Sequence, residues 1–124
     1  MNTNPFLLTD YYKVGHIFQY PSNTSLVYSN LTPRKTRIPE MQQMVFFGLQ
    51  YFVKEYLIRY FNDNFFDQPK EKVMEAYKRR IRTSIGELPT YEHLEKLHDL
   101  GYLPVEIKAL PEGSLVPMRV PCLS

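Results

Sequence analysis

Hydrophobic positions at helical spacing dominate the middle of the chain. Over residues 45–61 the apolar side chains recur every three or four positions, which is the spacing of one helix face. The members of this stripe are Val45, Phe46, Leu49, Phe52, Val53, Tyr56, Leu57 and Tyr60. Because Phe47, Tyr51 and Ile58 lie off the stripe, the helix should be covered on more than one side. We therefore expect residues 45–61 to form the core helix.

Two further helices follow. After Pro69, whose missing N–H is tolerated where a helix begins, an apolar stripe comprises Val73, Met74, Tyr77 and Ile81. Basic residues cluster near the end of this helix, where they complement its dipole: Lys78, Arg79, Arg80 and Arg82. A third helix is predicted from about Tyr91 to Leu100, with Thr90 as its cap and Gly101 as its C-terminal stop.

Three short segments have the composition or alternation of strands. Residues 25–31 are rich in strand-favouring side chains, and residues 105–109 alternate apolar and charged. A turn at residues 111–113 would return the chain as a strand at residues 115–116. Helices and separate strands together predict an α+β fold, a small domain with three helices and several short strands.

Composition narrows the class of protein. The chain has 124 residues, a length that suits one compact domain. It contains ten Tyr, eight Phe and no Trp, so aromatic packing should supply much of its core. A net charge of +2 lacks the basic excess of a nucleic-acid binder. A single cysteine, Cys122, and the lack of a membrane-length apolar run or leader segment predict a cytoplasmic location. Residues 118–124 are largely apolar and uncapped, so we expect a domain truncated at its C-terminal end.

The candidate chemistry is sparse. No phosphate loop, metal-ligand set or framed nucleophile occurs, so neither a catalytic residue nor a metal site is predicted. The densest polar-aromatic segment is residues 9–16, which is either a capped turn with tyrosines on the core or a ligand-facing surface. In the second interpretation Tyr12 stacks on a flat ligand and Asp10 accepts a hydrogen bond from an amide. His16 follows this segment, whereas His93 and His98 fall on a surface helix where a solvated or capping role is expected.

A basic loop at residues 33–37 is the other candidate. Arg34 offers planar donors suited to phosphate, although such runs are commonly solvated faces.

Three blocks of sequence resemble the nicotinamide phosphoribosyltransferase family. They are LLTDYYKVGH at residues 7–16 followed by QYP and NTS, VFFGLQY at residues 45–51, and LPVEIKALPEG at residues 103–113. The resemblance implies an N-terminal domain that packs on an α/β barrel absent from these 124 residues. It also implies transfer of phosphoribose from phosphoribosyl pyrophosphate to nicotinamide, giving nicotinamide mononucleotide for NAD synthesis.

The same resemblance implies partners and roles. Mg²⁺ and ATP serve the full enzyme, with none bound by this chain alone, and a homodimer forms the active site across its subunit interface. Tyr12 would stack on the pyridine ring, Asp10 would line that pocket and favour nicotinamide over nicotinate, and Arg34 would contact phosphate. Lys35 and Arg37 would be solvated. His16 matches a family histidine that is not the phosphorylated one, and the main catalytic residues lie beyond this chain, so alone it should be inactive.

Three alternatives stay open. The chain is a stand-alone binding or interaction module derived from that domain, a piece of a nicotinate phosphoribosyltransferase, or, least consistent with aromatic residues on core stripes, a small nucleic-acid-binding domain. A domain cut from a larger enzyme should expose apolar side chains where its partner packed, whereas a self-sufficient module should be polar there.

Overall fold

The computed structural model describes residues 3–124, which form two compact units. The helical unit comprises residues 3–22 and Phe52–Pro104, and the strand unit comprises Asn23–Tyr51 and Val105–Ser124. Helices and a small antiparallel sheet occur together, so the predicted α+β class is confirmed.

The helical unit is organised around helix α2, Lys70–Ile85. It begins with two 3-10 helices, Pro5–Leu7 and Tyr11–Gln19, and ends with helix α3, Glu92–Leu100. The predicted stripe of α2 is confirmed, because all four of its apolar residues are buried. The buried cluster of this unit consists of Val14, Phe65, Val73, Met74, Tyr77, Ile81, Tyr91 and Leu94.

The ends of α3 follow the sequence signals. The Thr90 hydroxyl oxygen accepts a hydrogen bond of 3.1 Å from the Glu92 N–H, which satisfies one free donor of the first turn. Gly101 adopts a left-handed φ of 79°, and its N–H bonds to the carbonyls of Leu97 and His98. The predicted stop at Gly101 is therefore confirmed, whereas the N-cap position is Tyr91, so Thr90 contacts the first turn from one residue before the cap.

The prediction of a core helix over residues 45–61 is wrong. Helix α1 is Leu49–Phe52, and it passes into π-helical turns over Val53–Tyr60 and Asn62–Phe66. No residue of Leu49–Phe52 or Val53–Tyr60 is buried, whereas Phe65, beyond the predicted end, is completely buried. The reason is geometric: π winding bonds each N–H one residue further back than an α-helix does, so a stripe of α-helical period does not stay on one side.

The strand unit contains two strands that pair antiparallel, β1 (Gln43–Val45) and β2 (Leu115–Pro117). Strand β2 confirms the prediction at residues 115–116, but β1 occupies the start of the predicted helix, where Gly48 at φ 94° separates strand from helix. The paired residues are Gln43↔Pro117, Met44↔Val116 and Val45↔Leu115. A second small core forms here from Phe46, Val116 and Cys122, with Met44, Leu49 and Leu123 packed against it.

The prediction of strands at residues 25–31 and 105–109 is wrong. Only Leu31 and Ala109 pair, each through an isolated antiparallel bridge to Leu123. A strand exists only where a neighbour accepts its backbone hydrogen bonds, whatever its side chains favour. The segment that both face reaches them only at residues 122–124, so the remainder of each forms no ladder.

Candidate functional site

Tyr12 stands on the outer side of the 3-10 helix Tyr11–Gln19. Val14 of the same helix is only 8% exposed and belongs to the core of the helical unit, whereas the Tyr12 side chain is 68% exposed. The helix is thus held by one side chain while the tyrosine ring two residues earlier faces outward. Its first turn is closed by a 2.9 Å hydrogen bond from the Lys13 N–H to the Asp10 carbonyl.

Polar groups surround the Tyr12 ring. The His16 ring lies 5.6 Å from it, centroid to centroid, at an interplanar angle of 55°. The Lys13 ammonium lies 6.0 Å from the centroid and 4.0 Å from the Asp10 carboxylate. We call Asp10, Tyr12, Lys13 and His16 the Tyr12 surface. It presents an aromatic face beside an acceptor and two potential donors, which suits a flat, polar aromatic ligand.

The three site residues predicted from the sequence fall in different units of the structure. Asp10 and Tyr12 lie in the helical unit, whereas Arg34 lies in the strand unit. The Asp10 side chain occupies the helix N-cap position but forms no capping hydrogen bond, so its carboxylate remains available apart from the exposed contact with Lys13. Such exposed pairs contribute about 1 kcal/mol or less, so this one would yield to a ligand.

Arg34 lies on an exposed loop whose start is fixed. The Arg119 N–H donates a 2.7 Å hydrogen bond to the Pro33 carbonyl immediately before it. Arg34, Lys35 and Arg37 are all exposed, and over residues 3–124 none of them forms a salt bridge. The solvated state predicted for Lys35 and Arg37 is thus found. Arg34 is exposed as well, and its guanidinium N–H donors form no salt bridge with an acidic side chain of residues 3–124.

Two members of the other basic cluster, Lys78 and Arg82, form salt bridges within the helical unit. Lys78 forms a 2.7 Å salt bridge with Glu95 of α3 and lies 5.2 Å from the Tyr91 ring centroid. Arg82 forms a 2.5 Å salt bridge with Glu87. These contacts hold α2 to the segment that follows it, and they leave less free positive charge for a nucleic-acid backbone than the sequence alone indicated.

Two histidines are less exposed than predicted. His98 is partly buried, and its Nε2 lies 3.0 Å from the Gln68 carbonyl oxygen. His93 is also partly buried, and its Nδ1 has no hydrogen-bond partner within the part of the chain that the structure describes. Burial lowers the pKa of His93 below its ordinary value. The predicted solvated role is therefore wrong for His93, because the inner side of α3 turns it towards Phe18, whose ring lies 6.0 Å away.

Within residues 3–124 no group of three or more His, Cys, Asp or Glu side chains could hold a metal ion. None of the helices that the structure describes is long and apolar enough to span a bilayer.

Comparison with known proteins identifies the family. Residues 4–107 match the family model described as "Nicotinamide phosphoribosyltransferase, N-terminal domain". A protein named nicotinamide phosphoribosyltransferase from Acinetobacter baylyi is 52% identical over 127 residues, covering 98% of this chain and 25% of the relative. One of the same name from Xanthomonas campestris is 32% identical over 121 residues, covering 92% and 22%. The chain belongs to the nicotinamide phosphoribosyltransferase N-terminal domain family and spans about a quarter of the length of these curated relatives.

Proposed function

We propose that this chain supplies the nicotinamide-contacting surface of an enzyme that transfers phosphoribose from phosphoribosyl pyrophosphate to nicotinamide. The product would be nicotinamide mononucleotide, a precursor of NAD, and pyrophosphate would leave. The observation that carries the proposal is the exposure of Tyr12, 68%, on a helix anchored by the buried Val14. An exposed ring on a helix that is anchored to the core can stack on a pyridine ring without rearrangement of the core.

The residues of this chain would bind and orient rather than react. Tyr12 would supply the stacking face, and the Asp10 carboxylate beside it would accept a hydrogen bond from the carboxamide N–H of nicotinamide. Arg34 would contact a phosphate group through its paired N–H donors. No catalytic residue is assigned within this chain, so bond formation at the ring nitrogen would depend on residues outside it.

The charge of Asp10 would also select the substrate. A carboxamide is neutral and can donate to Asp10, whereas the carboxylate of nicotinate would place two like charges at hydrogen-bonding distance. We therefore propose nicotinamide rather than nicotinate as the substrate. Substitution Asp10→Asn in a complete enzyme should narrow the preference for nicotinamide, measured as the ratio of kcat/KM for the two compounds. An unchanged ratio would remove Asp10 from this role.

The remaining components belong to the full enzyme in this proposal. Mg²⁺ would neutralise pyrophosphate charge and ATP hydrolysis would be coupled to the reaction, but residues 3–124 offer no ligand cluster for the metal. A homodimer would complete the site by placing the Tyr12 surface of one subunit against its partner, and the buried free thiol of Cys122 accords with a cytoplasmic enzyme.

The stand-alone module is the second candidate, and one observation weighs against it. Large apolar side chains of the strand unit are strongly exposed, notably Leu26, Tyr28 and Phe47. Such exposure is expected of a domain that packs on further polypeptide and is unusual for a self-sufficient one.

The test of the proposal uses a complete enzyme in which this chain replaces the corresponding quarter of the Acinetobacter baylyi relative. Tyr12→Ala should raise KM for nicotinamide about two- to tenfold, the loss of roughly 0.5–1.5 kcal/mol of stacking. Tyr12→Phe keeps the ring and should restore KM. Tyr102→Ala removes a comparably exposed tyrosine of the same unit and should leave KM unchanged. If Tyr12→Ala also leaves KM unchanged, the stacking role is wrong.

A further inference from the structure

The two segments that fail to form strands share one partner in the strand unit. Leu31 and Ala109 bridge to opposite sides of Leu123. On one side the Leu31 N–H donates to the Leu123 carbonyl at 2.8 Å and the Cys122 N–H donates to the Leu31 carbonyl at 2.9 Å. Two consecutive residues thus face one, which is a β-bulge. On the other side Lys108 and Ser124 exchange two hydrogen bonds of 2.8 Å. Residues 122–124 therefore have an antiparallel neighbour on each side.

The register of these bridges determines which residues would be paired if a central strand continued beyond residues 122–124. Past the bulge, antiparallel pairing places Ser124 opposite Asn30, so the first residue after it would face Ser29 and the fifth would face Ser25. On the other side Ser124 faces Lys108, so the second residue after it would face Glu106.

In the part of the chain that the structure describes, the backbone groups of both neighbouring segments have no hydrogen-bond partners beyond the bridges. Within residues 3–124, no backbone hydrogen bond involves residues 24–30 or residues 105–107. The side chains are exposed as well, with Leu26 at 83% and Tyr28 at 75%. A row of open backbone groups flanked by exposed apolar side chains is a template for another strand.

We propose that residues 25–31 and 105–109 form a slot for one extended segment, and that its occupant is the polypeptide that follows the position of Ser124 in full-length members of the family. The Acinetobacter baylyi relative matches 98% of this chain with only 25% of its own length, so polypeptide is available there to continue the strand. With the slot filled, the strand unit gains a three-stranded antiparallel sheet whose central strand joins this domain to the rest of the enzyme.

Amide hydrogen exchange tests the proposal, because the register predicts which N–H groups become protected. The probe is a synthetic peptide of the seven residues that follow the position of Ser124 in the Acinetobacter baylyi relative, added to the 124-residue chain. A second sample carries the same residues fused after Ser124. Exchange at Val27, Ser29 and Glu106 should slow at least about tenfold. Exchange at Leu26 and Tyr28 should not, because their N–H groups point away from the slot.

A matched proline pair sharpens the test. Val27→Pro removes a donor that faces the slot and should abolish the protection of Ser29 in the fused chain, whereas Leu26→Pro removes one that faces away and should preserve it. Protection of the Tyr77 amide in α2 reports in the same spectra that the helical unit is folded. Three results would overturn the proposal: no slowing at Val27 and Ser29, slowing without the alternation, or concentration-dependent slowing in the chain alone, which would assign the slot to a second copy.

Discussion

Ile81 is the residue on which the helical unit should depend most clearly. It is fully buried near the end of α2, where it belongs to the cluster that unites α2, α3 and the 3-10 helix. Ile81→Ala removes three buried carbon atoms, about 2.4 kcal/mol at roughly 0.8 kcal/mol each, and leaves a cavity that adds to this loss. We expect the free energy of unfolding to fall by about 3 kcal/mol, within the range of about 2–5 kcal/mol for such substitutions.

Ile85→Ala is the matched control, one turn further along the same helix. Ile85 is 49% exposed, so the same chemical change removes about half as much buried surface and leaves no enclosed cavity, while the gain in helix propensity is of the same kind in both variants. Urea unfolding followed by far-ultraviolet circular dichroism measures both. With a slope of about 1.5 kcal/mol per molar urea, Ile81→Ala should lower the midpoint by about 2 M and Ile85→Ala by less than about 1 M. Equal midpoints for the two variants would refute the assignment of Ile81 to the core.

Three further outcomes are expected. Because burial lowers the pKa of His93, the unfolded chain binds a proton at higher pH than the folded chain does. The free energy of unfolding should therefore fall as pH drops below about 6.5. His93→Phe should reduce this pH dependence, measured by urea unfolding at several pH values. Burial, aided by neighbouring tyrosines, raises the pKa of Tyr77 to about 12, so ultraviolet titration of the folded chain should show a late tyrosinate step that Tyr77→Phe removes, with stability lost as pH rises from 10 towards 12. Gly101→Ala should cost roughly 1 kcal/mol by thermal melting because φ is 79° there, whereas Gly15→Ala, with open space around the new methyl group and no positive φ, should cost nothing measurable.

Elements whose signals are local were predictable from the sequence. Helix α2 has a clean stripe of α-helical period, and α3 carries a hydroxyl before its first turn and a glycine after its last. Both signals act through neighbours in the chain, so they hold without knowledge of the fold. The same holds for the turn that leads into β2.

Elements that need a distant partner were not predictable in the same way. Residues 43–45 form a strand because β2 lies beside them, although Val45 and Phe46 also fit the helical stripe. Residues 25–31 have strand composition but no neighbour over most of their length. Strand formation is a property of a pair, and only the tertiary structure supplies the second member.

The candidate site divides along the same line. That Tyr12 and Asp10 lie close together follows from their spacing at the start of a short helix, but the contact between Tyr12 and His16 and the burial of His93 depend on packing. A tyrosine-rich sequence does not say which rings face a ligand, because every tyrosine offers the same phenol.

Burial separates the tyrosines into core residues and exposed ones. Tyr77 is 3% exposed and its ring packs edge-on against the Tyr91 ring at 6.1 Å, so it is a core residue. Near the Tyr12 ring lie two side chains of its own helix, the His16 ring tilted at 55° and the Lys13 ammonium 6.0 Å from the ring centroid. Stacking requires a face that no core residue needs, and loss of such a ring should affect binding while leaving folding intact. For Tyr12, the proposed stacking role thus predicts weaker nicotinamide binding and an unchanged free energy of unfolding when alanine replaces the tyrosine.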